Sequence, residues 1–184
     1  MPRIEPLNER HQVIPEGREQ FDLIMGSRKK LTGGPMAMML HSPEMAWRTT
    51  QLSNELRFNS SLPGDVLELC IIIGARAADN EFTWSEHAPW AKDAGVSEAA
   101  IDAVGRRTED ISGLDDVEQL IIEFGNELMY DRDLSDVTFE RAKALYGNRG
   151  AIEMSFLMGY YGMIGCLVRV AGMDPRPNGP RFPG

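Results

Sequence analysis

Residues 64–95, GDVLELCIIIGARAADNEFTWSEHAPWAKDAG, contain two helical patterns separated by a short turn. The first pattern, over 64–78, is apolar on nearly every side, and helices of that kind are buried. We therefore expect it to lie at the centre of the fold. The second pattern, over 83–94, is followed by Gly95, a residue suited to a left-handed helix C-cap. The charged residues within the first pattern are Asp65, Glu68 and Arg76.

The rest of the chain continues the helical pattern. No Asn-Gly hairpin and no sustained alternation of apolar and polar residues indicates strands. We predict an all-α fold, a compact multi-helix bundle with an irregular N-terminal arm and a proline-rich C-terminal tail that lies along a neighbouring subunit. We expect a single domain over 1–184 with its core at about 20–173. The other predicted helices cover 16–30, 43–58, a segment starting after Ser97, 117–128, 135–146 and 149–173.

Charge and hydropathy exclude several functions. The chain has 184 residues and a net charge of -9, and its basic residues form no stripe that could neutralise phosphates. Nucleic acid and anionic membranes are therefore poor partners. The longest uncharged stretch, MSFLMGYYGMIGCLV at 154–168, is shorter than the ~20 residues of a membrane span. The start of the chain lacks an apolar signal core, so we expect a cytoplasmic protein.

Cysteine and glycine positions indicate packing. Cys70 and Cys166 each lie in an apolar run without the spacing of a zinc site, so we expect both to be reduced core residues. Gly159, Gly162 and Gly165 recur at intervals of three, which predicts close packing of the last helix against another backbone.

Glu68 and His87 are the candidates for chemistry. Glu68 is the one acid among residues 66–75, and a buried carboxylate requires a partner. Consecutive helices joined by a short turn pack side by side, which can bring His87 to it. A carboxylate fixes the tautomer of an imidazole, as general acid or base catalysis requires. The alternatives are that Glu68 pairs with Arg76 near water and that His87 is an ordinary packed histidine.

The run from Leu56 to Val104 resembles the carboxymuconolactone decarboxylase family, within the alkylhydroperoxidase D-like all-helical superfold. The segments GGPMAMMLHSP at 33–43 and FLMGYY at 156–161 are also similar to this family. In its peroxidase branch a glutamate, a C-x-x-C pair and a histidine form a proton relay, with the same nineteen-residue separation as Glu68 and His87. The thiol positions fall on Asn80 and Thr83, so this chain resembles the branch that lacks the thiol pair.

That resemblance implies a decarboxylase-like enzyme that needs no metal and no organic cofactor. His87 is the implied proton donor to the carbanion or enolate, and Glu68 orients it. Arg57 is our candidate for binding a substrate carboxylate, although an inter-helix salt bridge is the alternative. Trp84 is a candidate pocket wall or an ordinary core residue. Tyr160 and Tyr161 rank last, as candidate hydroxyl groups, and Tyr161 is retained as a substrate-binding candidate.

The leading functional hypothesis is therefore proton transfer by His87 and Glu68 on a small lactone or keto acid. One alternative is hydroperoxide reduction by Cys70 or Cys166, disfavoured because the C-x-x-C pair is missing. Another is a non-catalytic oligomer that binds a small molecule on the same fold. Members of the family form trimers or hexamers, so the resemblance also implies a homo-oligomer.

Overall fold

The computed structural model describes residues 2–27 and 34–184, and these residues form eight α-helices and no strand. The all-α prediction is confirmed. Two short 3-10 turns precede the first helix, and a π-helical turn at Glu127–Asp131 follows the seventh. The helices are α1 Arg18–Gly26, α2 Pro35–Met39, α3 Pro43–Phe58, α4 Gly64–Ala77, α5 Glu81–Ala94, α6 Glu98–Arg106, α7 Asp116–Asn126 and α8 Asp136–Ala171.

The chain divides into two compact units. The first contains the chain up to Asn59 together with Val170–Met173, and in it α1 and α2 pack against α3. The second contains Ser60–Arg169 and Asp174–Gly184, and in it α4 contacts α5, α6 and α7. The expectation of one domain over 1–184 stays a prediction beside this division.

Helix α4 is the central helix of the second unit, as its apolar sequence predicts. Nine of its residues are buried, including Cys70 and the run Ile71–Ile73. Gly74 lets α4 approach α8 closely, because a Cβ atom at this position would lie 2.5 Å from the carbonyl oxygen of Met158. Any larger residue would therefore push the two helices apart.

Local capping sets most helix boundaries. The Ser97 side chain accepts a hydrogen bond from the Ala100 backbone, and Gly95 has the positive φ of 111° expected of a C-cap. Helix α5 starts at Glu81, two residues earlier than predicted, because Asn80 caps it. The helix predicted over 16–30 ends at Gly26, and 28–30 lie outside the described residues. Helix α2 was not predicted.

Helix α8 bends at Gly147, where φ is 67° and ψ is -179°. This bend separates the two helices predicted over 135–146 and 149–173. Among the described residues α8 alone is long and apolar enough by composition to cross a membrane, and half of its most apolar window is buried within the fold. A buried core helix passes the same test, and the exclusion of a membrane partner stays a prediction.

The glycines of α8 do not form one close-packed face, contrary to the prediction. A Cβ atom at Gly165 would lie 2.6 Å from Cβ of Ala78, whereas one at Gly159 would have no heavy atom within 4 Å. The physical reason is angular: residues three apart on a helix drift by about 60° per step, so the first and last of three lie on different faces.

The C-terminal tail packs on its own chain rather than requiring a neighbouring subunit. The indole N–H of Trp84 donates to the carbonyl of Arg181 at 3.2 Å, and the rings of Trp84 and Phe182 lie 5.1 Å apart. The guanidinium of Arg76 lies 4.4 Å above the Phe182 ring. These contacts bind a segment that has too few helix formers to fold alone.

Candidate active site

Glu68 on α4 and His87 on α5 meet inside the second unit. Oε2 of Glu68 lies 2.7 Å from Nδ1 of His87, the distance of a strong hydrogen bond. A turn at 78–80 joins the two helices and holds them side by side. Arg76, the alternative partner of Glu68, instead donates to the carbonyl of Gly105 and pairs with Asp79.

The pair lies largely out of water. The His87 side chain is 6% exposed and that of Glu68 is 12% exposed. In so dry a position an unpaired carboxylate would cost several kcal/mol, which the hydrogen bond with the imidazole offsets. The two residues therefore stabilise each other's burial.

Two aromatic rings contact the imidazole by their edges. The Trp90 ring centroid lies 4.7 Å from that of His87, and the Tyr161 centroid lies 5.1 Å away on α8. Tyr161 is buried, whereas Trp90 is 45% exposed. Trp90 thus contacts both the buried imidazole and solvent.

The hydrogen bond at Nδ1 determines which ring atom can react. Within residues 2–27 and 34–184, Nε2 of His87 makes no hydrogen bond to protein. With Nδ1–H donated to Glu68, the imidazole keeps one tautomer and presents Nε2 for proton transfer. This arrangement suits general acid or base catalysis.

The predicted substrate-binding residues have different positions. Tyr161 contacts His87, as described above. Trp84 is buried, and its indole N–H is bound by the tail, which is the contact of a packed core residue. Arg57 belongs to the first unit, where its guanidinium lies 5.3 Å from the Phe58 ring centroid. The substrate-binding roles of all three stay predictions.

Trp90 was missed by the sequence reasoning. It follows His87 by three residues on the same helix, and residues at that spacing share a face. The sequence spacing therefore indicates that the two side chains are neighbours. Its solvent exposure depends on the packing of the other helices and could not be read from the sequence.

The positions that hold thiols in the peroxidase branch form a helix cap here. Asn80 accepts from the Thr83 backbone at 3.1 Å, and its amide donates to the Thr83 hydroxyl at 2.7 Å. Both side chains are buried and their polar groups bond to each other. They hold the start of α5 in place and carry no nucleophilic sulfur.

The two cysteines are in opposite environments. Cys70 is fully buried, and burial raises the pKa of its thiol far above the ordinary value. A thiol in that state is a poor nucleophile. Cys166 is exposed on α8, which corrects the expectation that it lies in the core. In the described part of the chain, no three potential metal-binding side chains converge.

Solved structures of low sequence identity resemble this chain over most of its length. No family model and no curated protein matches it. A peroxidase-related protein with an alkylhydroperoxidase AhpD core, from Ralstonia eutropha JMP134, aligns with a TM-score of 0.72 and 12% identity over 95% of this chain and 92% of its own. The debrominase Bmp8, solved both alone and with 2,3,4-tribromopyrrole, aligns with a TM-score of 0.69 and 16% identity.

The Bmp8 alignment covers 95% of this chain and 91–92% of Bmp8. An AhpD-type protein from Agrobacterium tumefaciens aligns with a TM-score of 0.60 and 14% identity over 76% of this chain and 96% of its own. At these identities the likeness establishes the arrangement of helices and nothing about activity. The chain has the alkylhydroperoxidase AhpD-like fold.

Proposed function

We propose that the protein is a cofactor-independent enzyme that decarboxylates a small lactone acid or keto acid by proton transfer at His87. The observation that carries this proposal is the 2.7 Å hydrogen bond between Glu68 and Nδ1 of His87 in a dry interior. The bond orients the imidazole and leaves Nε2 for substrate. Small carboxylated compounds are the substrates that we propose for it.

In the proposed step the carbon–carbon bond to the substrate carboxylate breaks and carbon dioxide leaves. The electron pair passes into the adjacent carbonyl and gives an enolate. The imidazolium of His87 then donates its Nε2 proton to the enolate carbon, and the neutral ring regains a proton from water. Glu68 keeps its charge throughout and stabilises the imidazolium, so it is a positioning residue.

The position of Trp90 suggests the side from which a substrate would reach His87. It contacts the imidazole and is the more exposed of the two rings beside it. A planar unsaturated ring could stack on the indole with its carboxylate toward water. In this proposal the substrate enters beside Trp90, and Tyr161 closes the inner side.

Thiol chemistry receives less support. The positions of the missing C-x-x-C pair are occupied by Asn80 and Thr83, and the raised pKa of Cys70 keeps that thiol protonated. Peroxide reduction at a single exposed Cys166 would lack a neighbouring thiol to complete the cycle. No observation favours debromination.

The test measures carbon dioxide release from a panel of small lactone and keto acids. We expect His87→Gln to reduce kcat by about 100-fold or more, the usual contribution of a general acid. His11→Gln is the matched control, because the His11 side chain is 76% exposed and lies beside Glu9 on the surface. Equal turnover by wild type and His87→Gln would refute the proposal.

Glu68→Gln tests the positioning role, since the amide oxygen can still accept from Nδ1–H but carries no charge. We expect kcat to fall by about tenfold and the pH dependence of kcat to change, whereas a purely structural role would leave that pH dependence unaltered. Binding of an acid from the panel without turnover would instead support the non-catalytic binder.

A further inference from the structure

A groove in the second unit is bounded by α5, α6 and the C-terminal tail. Its volume is about 490 Å³, within the roughly 300–1,000 Å³ of small-molecule sites. Its apolar lining residues are Trp84, Ala88, Pro89, Ile101, Pro180 and Pro183. Trp84 and Ala88 are four residues apart and share one side of α5. The imidazole of His87 turns to Glu68 on α4 instead, so the groove is separate from the candidate active site.

Two close contacts hold the tail in place as a wall of this groove. A Cβ atom at Gly179 would lie 2.7 Å from Cβ of Ser85 on α5. One at Gly105 on α6 would lie 2.5 Å from Cδ of Pro183. Glycine at both positions permits these approaches, which any side chain would obstruct. The tail therefore spans from α5 to α6 and encloses the groove between them.

The apolar part of the lining offers a ligand few hydrogen-bonding groups. Three of its residues are prolines, which have no backbone N–H. The indole N–H of Trp84 already donates to the carbonyl of Arg181. The side chains of Ala88 and Ile101 are hydrocarbon. A polar ligand body would lose its hydrogen bonds to water here without replacing them, so the groove favours an apolar body.

The charged residues of the groove indicate a polar group for the ligand. The two acidic lining residues each pair with a basic residue: Glu98 with Lys92, and Asp102 with Arg106. Arg181 also lines the groove, and its ion pair with Glu81 is long, at 3.8 Å. Its side chain is 52% exposed. A guanidinium can bind a carboxylate through two parallel hydrogen bonds, so Arg181 is suited to an anionic ligand group.

We propose that this groove binds a small aromatic carboxylic acid, with the ring between α5, α6 and the tail and the carboxylate on Arg181. The proline rings fix the backbone of the walls, and the hydrogen bond of Trp84 holds its indole in place. A rigid ring loses no internal rotation on entering so stiff a groove, whereas an alkyl chain loses rotation at each bond. The site does not depend on the proposed decarboxylation.

The experiment measures binding of 2-naphthoate to the native full chain by isothermal titration calorimetry. We expect the neutral 2-naphthamide, and the flexible octanoate, to bind at least about tenfold more weakly than 2-naphthoate. Arg181→Gln should weaken 2-naphthoate binding by about tenfold or more. Arg48→Gln removes the same charge from an exposed position on α3 and is the matched control, with unchanged affinity. Circular dichroism establishes that each variant is folded.

A second readout locates the ligand. The chain has three tryptophans, so an amide correlation NMR spectrum shows three indole N–H signals, which Trp47→Phe and Trp90→Phe assign. We expect 2-naphthoate to shift the Trp84 signal and to leave the Trp90 signal, beside His87, nearly unchanged.

A shift of the Trp90 signal alone would place the ligand at the candidate active site and overturn the groove proposal, while leaving the proposed function standing. Absence of binding at about 10 mM 2-naphthoate would also overturn it. So would equal affinity of Arg181→Gln and wild type, or equal affinity of the wild type for 2-naphthoate and either octanoate or 2-naphthamide.

Discussion

At the scale of single residues, the Glu68–His87 pair is a structural element as well as a candidate reaction centre. Each side chain is buried and each satisfies a polar group of the other. The free-energy cost of leaving one partner unpaired in a dry interior exceeds the net gain of making the bond. Stability measurements therefore test the pair independently of any substrate.

We expect Glu68→Leu to lower the free energy of unfolding by about 2 kcal/mol, because it removes the acceptor of Nδ1–H. Glu68→Gln should cost less than half as much, since an amide oxygen still accepts this bond. Urea denaturation at pH 7 measures both. Glu109→Leu, at an exposed position on the surface, is the control and should change stability by less than about 0.5 kcal/mol. Equal stability of Glu68→Leu and wild type would show that the hydrogen bond contributes nothing.

The sequence predicted the members of this pair but not its surroundings. Glu68 stands out because it interrupts an apolar helix, and His87 because the short turn between the two helical patterns can bring the second helix beside the first. Both signals are local to α4 and α5. The hydrogen bond from the indole N–H of Trp84 to the tail depends on the path of residues almost a hundred positions away. No local sequence pattern indicates such a path.

At the scale of helices, the predicted boundaries are accurate where a cap or a glycine determines them. Ser97, Gly95 and Gly147 each mark an observed end or bend. Helix α2 was missed because five residues are too few to show a helical period. Asn80 lies in the predicted turn between the helical patterns over 64–78 and 83–94, and asparagine is favoured both in turns and at helix N-caps, so the residue type alone does not fix the start of α5.

The bend of α8 predicts a strong requirement for glycine at 147. Its φ of 67° and ψ of -179° lie in a region that is open essentially to glycine alone. We expect Gly147→Ala to lower the free energy of unfolding by about 2 kcal/mol. Gly162→Ala is the matched control on the same helix, because its new Cβ would make an ordinary 3.6 Å contact with the end of Met129.

Gly162→Ala should be neutral or stabilising by up to about 1 kcal/mol, as alanine favours the helix more than glycine does. Thermal or urea unfolding of the two variants gives the comparison. If the two variants lost similar amounts of unfolding free energy, the loss in Gly147→Ala could not be attributed to backbone strain at position 147.

Glu153 links α8 to the loop before α4 and makes stability depend on pH. Burial alone would raise the pKa of this carboxyl, but hydrogen bonds from Arg149, Ser61 and Ser60 outweigh it and lower the pKa to about 2. A carboxyl whose pKa is lower in the folded chain stabilises the fold above its unfolded pKa of about 4.5. That contribution disappears as the pH falls from about 5 to 2.

We therefore expect Glu153→Gln to be less stable than wild type by about 2 kcal/mol at pH 7, with the difference shrinking below pH 4.5 and vanishing near pH 2. Urea midpoints across this range measure it. Glu140→Gln is the control, since Glu140 is 62% exposed beside Lys143 and should show no comparable pH dependence. A constant difference between Glu153→Gln and wild type at every pH would contradict this account.

At the scale of the whole molecule, the C-terminal tail packs against the core of the second unit. Its sequence is rich in proline and forms no helix, yet Phe182 packs between Trp84 and Arg76, and Pro183 contacts Gly105. Arg176 pairs with Glu86 at 2.7 Å and anchors the near end. The sequence predicted an irregular tail but not its place, because proline-rich segments carry no periodicity to reveal the face they will cover.

Removal of residues 177–184 should therefore expose Trp84 and lower the free energy of unfolding by about 2 kcal/mol, through loss of the Phe182 ring and of the Arg181 carbonyl that accepts the indole N–H. In a background of Trp47→Phe and Trp90→Phe only Trp84 emits, so its fluorescence should shift to longer wavelength and become accessible to acrylamide. Asn178→Gly, an exposed change within the same segment at a backbone φ of 63° that glycine adopts freely, should leave the emission unaltered and the urea midpoint nearly so. Unchanged emission after removal of the segment would show that the tail does not cover Trp84 in solution.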